Sequence, residues 1–383
     1  MSRRVLVVFV DALGPSQLQA AGGFGLPYRG QLRGILGYSC GALPTLLTGA
    51  SPARHGRMCL FAQAEGRGVL APLALLGLLP RVVHERGVLR RAAGRLLARW
   101  AGLTGYLDLY RVPPSTFRWL DLPEREDLFT AERIGGVETF LAEARRAGLR
   151  VFAAPWRMPE SQRWDHTLEV IRAQRPELAF AYATQLDGTL HRMGNDSAEV
   201  KQVHRGLVAR IERAAEAMRR GGGEVTTILV GDHGMADIQR VIDPRPMVRA
   251  LRGTRLFVDS TLARFWGEDR VLERARAVVE DLGFPGRWLD GAALDARQAP
   301  TRGAPYGRAL FVLEEGALFA PSFVGGAVRG MHGYDVDSPS AFAAIASDNP
   351  IPAGCGSLTD LAPWVRSLLG LTSRPVTLAA AGA

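Results

Sequence analysis

Seven residues of the chain, Asp11, Ser39, Asp187, His191, Asp232, His233 and His332, carry side chains that bind divalent cations or can attack phosphorus. Asp11 follows the apolar run VLVVFV, Asp187 follows LAFAYATQL, and Asp232 follows TTILVG. Short apolar runs of this kind make buried parallel strands, and open α/β sheets bind ligands at the carboxyl ends of their strands. Three carboxylates and three imidazoles meeting there are intolerably crowded as bare groups but suit a pair of divalent cations. Two cations roughly 3.5 to 4 Å apart can hold a phosphoryl group, one activating the nucleophile and the other stabilising the leaving oxygen. Mixed histidine and aspartate ligands favour zinc, with manganese as the alternative. Ser39 is a poor nucleophile as a free alcohol. The following GALPTLLTG has the composition of a buried helix, which places Ser39 at a helix N-terminus where free N–H groups favour an anion, and metal coordination lowers its pKa further.

The elements that must hold these residues alternate. A first strand over Val5 to Val10 precedes Asp11, and VETFLAEARRAG (Val137 to Gly148) reads as an amphipathic helix ending on a glycine, followed by the strand LRVFAAP. Then come a helix around Thr167 to Ala173, the strand before Asp187, a long helix from about Ala198 to Arg219, and the strand before Asp232. This rhythm predicts an α/β fold, a doubly wound, mostly parallel sheet with helices on both faces. Two stretches interrupt it. Residues 59–130 hold the apolar run Val69 to Leu79, an arginine-rich helical stretch and a Pro-rich aromatic segment, and 244–324 read as a small α+β cap. The expected organisation is therefore catalytic core over 1–58, 131–243 and 325–374, a helical insertion, a cap, and a frayed tail over 375–383.

The formal charge is +9, yet Lys201 is the only lysine. An almost all-arginine, Ala/Gly/Leu-rich chain reflects compositional bias, so the charge argues little for nucleic acid as a partner. Cys40, Cys59 and Cys355 form neither a CxxC pair nor an even framework, which points to reduced thiols. The N-terminal apolar run is too short for a signal sequence and no window is long enough to span a membrane, so the expected location is cytoplasmic. The arginines between Arg81 and Arg99 read as a solvated helix face, with the alternative of a lid that grips phosphate or, together with the preceding apolar run, touches lipid over 69–99.

These motifs resemble the alkaline phosphatase superfamily, and within it the type I phosphodiesterase/nucleotide pyrophosphatase branch. The resemblance runs from VFVDALG at residue 8 through TGASPARHG (Thr48 to Gly56), LDGTLH (Leu186 to His191), VGDHGM (Val230 to Met235) and GMHGYD (Gly330 to Asp335) to the closing LTDLAPWVRSLLGL. It implies the alkaline-phosphatase-like fold, a nucleophile at Ser39, one metal held by Asp187, His191 and His332, and another held by Asp11, Asp232 and His233 with Ser39 between them. Many of the diesterases carry threonine as nucleophile and an asparagine three residues later. Here those positions are Ser39 and Ala42, so a nucleotide diester needs another donor for its phosphate oxygen. SCGAL also lacks the proline and arginine that precede formylglycine formation in the sulfatases of the superfamily.

Taken singly, each motif has a plainer reading. Asp187 with His191 suits a solvated helical pair, DHG an ordinary turn, and Ser39 a helix N-cap; Cys40 reads as a small buried residue, and His55 as a turn-fixing group. His84, His166 and His204 have no partners in the pattern. The ordered combination points instead to a metal-dependent phosphoric ester hydrolase that cleaves a phosphodiester or pyrophosphate bond of a small phosphate ester, a nucleotide among the candidates, through a phosphoseryl intermediate. A phosphomonoesterase, phosphonate hydrolase or phosphotransferase would use the same core. The reading from another class is a non-catalytic, metal-containing protein that binds anions. Leaving group and oligomeric state are open at this point.

Overall fold

The computed structural model describes residues 3–371; the expected frayed tail over 375–383 lies outside the described residues. The first apolar run forms β1 (Arg3–Val10). Leu6, Val8 and Val10 enter one hydrophobic core, while Val5, Val7 and Phe9 enter another, the alternation that a strand imposes on its side chains. Along the chain follow β2 (Tyr28–Leu32), α1 (Ser39–Thr48), α2 (Gly87–Trp100), α3 (Phe140–Arg146) and β3 (Val151–Ala153). After these come α4 (Glu160–Gln174), β4 (Leu178–Ala183), α5 (Gln185–Met193), α6 (Ala198–Arg220) and β5 (Glu224–Val230).

The cap is built from β6 (Arg255–Val258), β7 (Leu262–Trp266), α7 (Asp269–Asp281), β8 (Gly286–Asp290) and β9 (Ala309–Leu313). The chain returns to the core through β10 (Ala343–Ser347) and α8 (Leu361–Leu368).

The central sheet has the order β2-β10-β5-β1-β4-β3. β5, β1, β4 and β3 run parallel, and β10 is antiparallel to both β5 and β2. Helices α4 and α6 cover one face through Leu168, Ile171, Leu207 and Ile211; α1, α3 and α8 cover the other through Leu46, Leu47, Phe140, Leu141, Trp364 and Val365. The α/β class, mostly parallel sheet and helices on both faces are as expected from the sequence. The cap is a four-stranded antiparallel sheet, β6-β7-β9-β8, with α7 laid on it through Leu272, Ala275 and Val279. Within the helical insertion Phe61, Leu73, Leu97, Leu109 and Phe117 form a satellite core shared with Phe257 and Trp266 of the cap.

Three local expectations are corrected. The helix read over Val137 to Gly148 begins at Phe140, because the Thr139 side chain accepts from the Ala142 N–H and caps it. Val137 and Glu138 instead pair with Arg133 and Ile134 across a Gly135–Gly136 turn. The helix around Thr167 to Ala173 is longer, from Glu160 to Gln174. Asp187 does not end a strand: β4 stops at Ala183, and Asp187 lies in the first turn of α5. Among the described residues the three cysteines are free, and no helix is long and apolar enough to cross a membrane.

The loops after β1 and β5 meet backbone to backbone. A Cβ on Gly14 would stand 2.5 Å from the Gly234 Cα, and one on Gly231 would stand 2.1 Å from the Leu13 carbonyl oxygen. Only hydrogen at these positions lets Asp11 approach Asp232 and His233. Gly14→Ala is therefore expected to lower stability by about 1–3 kcal/mol and to weaken metal binding. A urea midpoint unchanged from wild type would contradict this close packing.

Candidate active site

All seven residues converge at the carboxyl edge of the sheet. Asp11 follows β1 directly, Asp232 and His233 follow β5 by one residue, and His332 comes from the loop just after the Gly330–Met331 strand. Asp187 and His191 sit one turn apart on α5, with His191 Nε2 3.2 Å from Asp187 Oδ1. Glu160 places this helix: its Oε2 accepts the Thr184 and Gln185 N–H groups at 2.6 and 2.7 Å, satisfying donors that a helix start leaves open. Ser39 is the first residue of α1, and its Oγ lies 3.0 Å from His233 Nε2.

Backbone carbonyls fix the tautomers. His233 Nδ1 donates to the Gly234 carbonyl at 2.8 Å, and His191 Nδ1 donates to the Gly330 carbonyl at 2.7 Å. Each imidazole thus turns an Nε2 lone pair toward carboxylate oxygens. His233 Nε2 is 3.3 Å from Asp232 Oδ2 and 3.6 Å from Asp11 Oδ1, so acceptor faces acceptor. The buried atoms Asp11 Oδ1, Asp187 Oδ1, Asp232 Oδ2 and His332 Nδ1 have no hydrogen-bond partner. Orphaned acceptors of this kind match the ligand atoms of a cation site, and the donor set fits divalent metal.

Two triads have ligand atoms within 4.8 Å of one another: Asp187 with His191 and His332, and Asp11 with Asp187 and His233. The first is the set implied by the resemblance. In the second Asp187 takes the place expected for Asp232, whose Oδ1 is already engaged by the Ala12 and His233 N–H groups. Asp232 Oδ2 still faces the site.

The crowding is visible in the electrostatics. Burial, then Asp232 and Asp187, push the Asp11 carboxyl well above its usual range, and burial likewise raises Asp232 against the opposing pull of His233. Burial and the neighbouring imidazoles His233 and His191 hold His332 well below the ordinary histidine value; its ring stacks on His233 with centroids 3.6 Å apart. Burial pulls His191 downward, but the close Asp187 carboxylate, which favours the protonated ring, outweighs it, so His191 is raised.

Residues 106–283 match the model of the family described as type I phosphodiesterase / nucleotide pyrophosphatase. Over these residues the chain is similar to the type I phosphodiesterases. The resemblance read from its motifs is thus borne out, and the protein is a hydrolase of phosphoric esters. No curated protein matches it in sequence. Solved structures agree on the alkaline-phosphatase-like fold. The murine ectonucleotide pyrophosphatase / phosphodiesterase 5 superposes with TM-score 0.68 at 16% identity, covering 98% of this chain and 96% of that one. The human protein gives 0.65 at 14% identity with the same coverage. An inactive form of the murine protein in complex with AMP gives 0.65 at 17% identity, again over 98% and 96% of the two chains.

The metal-type ligands open into a cavity of about 650 Å³. Its walls include Tyr106, Tyr110, Phe129, Trp156, Tyr182 and Glu124, none of which the sequence analysis singled out. Tyr182 had a signal, a hydroxyl inside an apolar strand run; the others come from irregular segments that carry none. Ala42 is buried and offers no donor. Cys40 also lines the cavity, and burial pushes its thiol far above the usual range, which disfavours a thiolate nucleophile beside Ser39. His55 is structural, bonded to Thr45 Oγ1 at 2.9 Å and accepting the Arg57 N–H.

Burial raises Glu124 from 4.5 to about 7. The native state then binds the proton more tightly than the unfolded chain, so this contribution to stability is full below about pH 4.5 and is lost as pH rises through about 7. Glu124→Gln should remove at most about 3 kcal/mol of that pH dependence. Parallel wild-type and variant slopes of unfolding free energy between pH 5 and 8 would show that Glu124 ionises normally.

Proposed function

We propose that the protein is a two-metal hydrolase of phosphodiester or pyrophosphate bonds, with Ser39 as nucleophile and a nucleotide as the preferred class of substrate. The single observation that carries the mechanism is the cluster of unpartnered buried carboxylate and imidazole atoms around the Ser39 hydroxyl. Asp187, His191 and His332 would hold one divalent ion, and Asp11, Asp232 and His233 the other, with the Asp187 carboxylate within reach of both ligand groups. Such ions supply positive charge against the phosphoryl oxygens and lower the serine pKa. The ligand chemistry favours zinc over manganese.

The chain's own groups then do the following. The α1 N-terminus directs free N–H groups toward the phosphoryl oxygens and orients Ser39. Ser39 Oγ attacks phosphorus, the bond to the leaving oxygen breaks, and a phosphoseryl group remains until water cleaves it. The proton lost by Ser39 passes to solvent, because the His233 lone pair that accepts it here is the one a cation takes. The aromatic walls offer faces on which a nucleobase can stack, in keeping with AMP in the murine relative.

The test is hydrolysis of a p-nitrophenyl nucleotide diester beside p-nitrophenyl phosphate, with zinc and with manganese. Diester preference that disappears in Ser39→Ala supports the reading, whereas monoester preference moves the protein to the phosphatases.

A further inference from the structure

Of the ten large hydrophobic residues exposed among the described residues, seven lie between Leu75 and Trp100. On α2 they form a stripe. Val88, Ala92, Leu96 and Trp100 recur every four residues and are all exposed, with Val88, Leu96 and Trp100 each above 70%. Beside it runs a second exposed stripe at the same spacing, Arg91, Arg95 and Arg99. Residues four apart share a helix face, so the solvent side of α2 pairs an apolar band with a guanidinium band. The opposite side, Arg90, Gly94 and Leu97, is buried against the protein. Leu78, at 82% exposure, and Val82 extend the apolar surface just upstream. Between residues 69 and 100 six arginines stand against a single acid, Glu85, hence +5 of the chain's +9.

We infer that this face docks the protein on an anionic lipid surface. A helix with an apolar stripe bordered by arginine lies in a membrane interface, where the apolar band enters the acyl boundary and the guanidiniums meet lipid phosphate. Charge complementarity selects the occupant: a second copy of this chain would set the exposed Arg91, Arg95 and Arg99 against their own counterparts, while an anionic bilayer offers the opposite sign. Arg90 belongs to the support and not to the contact. Its guanidinium donates to the carbonyls of His84, Leu109, Tyr110 and Val112 at 2.8–3.3 Å, tying α2 to the segment whose Tyr106 and Tyr110 line the active-site cavity. Docking therefore brings the cavity wall within a few residues of the lipid phase, whatever ester the site hydrolyses.

The test is flotation of the full chain with vesicles of phosphatidylcholine alone and with one third phosphatidylglycerol. Two triple variants accompany it, Val88→Ser/Leu96→Ser/Trp100→Ser and Arg91→Gln/Arg95→Gln/Arg99→Gln. Wild type should float with the anionic vesicles and not with the neutral ones, and the arginine variant should partition on the order of a hundredfold more weakly. The apolar variant should also be released. Unchanged turnover of a soluble diester, or an unchanged circular dichroism spectrum should the site prove inactive, shows that the variants fold. No flotation of the wild type, equal flotation on neutral vesicles, or variants that float like wild type each overturn the docking. A dimer that both variants dissolve, with no vesicle binding, would assign the face to self-association instead.

Discussion

Ser39→Ala is expected to lower turnover of a phosphodiester by about three orders of magnitude or more while leaving metal content unchanged. The hydroxyl is the one alcohol among the clustered ligands, and removal of a nucleophile from a preorganised site leaves only binding and electrostatic contributions. Its Oγ is 3.0 Å from His233 Nε2 at the start of α1, so alanine deletes the attacking atom without opening a buried cavity of consequence. Elemental analysis beside single-turnover kinetics separates the two effects. Cys40→Ala, by contrast, should retain activity within a few fold, since burial holds that thiol protonated. Activity that survives in Ser39→Ala and disappears in Cys40→Ala would exchange the two roles.

Asp187→Asn should be the most damaging change to the metals. Its carboxylate is the only group common to both triads, and an amide of the same shape keeps the packing while removing the charge. Bound metal is expected to fall from two ions toward none, with turnover lost in parallel, whereas His191→Ala disturbs one triad directly and should leave more metal behind. The same logic makes stability metal-dependent. Ions present at a thousandfold over their dissociation constant add about 4 kcal/mol to the folded state, and their removal leaves Asp11, Asp187 and Asp232 facing one another. A melting temperature insensitive to chelator, together with full metal content in Asp187→Asn, would remove the shared-ligand reading.

Much of this site is legible in the sequence because strands and metal chemistry leave local traces. VLVVFV before Asp11 is apolar at every position, and TTILVG before Asp232 is apolar but for two threonines that are themselves buried; such runs suit strands buried on both faces, and the ligand follows at once. Asp187 is displaced onto a helix because TQL after the strand is as compatible with further strand as with a helix start; the deciding cap, Glu160, lies 24 residues before Thr184. The α3 boundary had a local signal in Thr139 and the Gly135–Gly136 pair, and amphipathic spacing masked it. The cavity walls are a different matter. Glu124 is raised by burial, and Arg90 is defined by carbonyls up to 22 residues away. Neither environment is encoded near the residue that experiences it. Arg90 also shows how composition misleads: it belongs to the arginine-rich run, yet it is a structural bolt and its neighbours are not.

The seven metal-type residues stand on the ends of central strands, on the helices Ser39–Thr48 and Gln185–Met193, and on the loop after Gly330–Met331, whereas part of the cavity wall stands on segments between them, the aromatic Tyr106 and Tyr110 in the insertion and the polar Asp259 and Ser260 in the cap. Reaction chemistry and substrate choice are thus written on different stretches of one chain. Lineages can replace the second without disturbing the first, so descendants of a single ancestor can diverge widely in diet while sharing one engine, and a protein engineer can graft new recognition by exchanging loops alone.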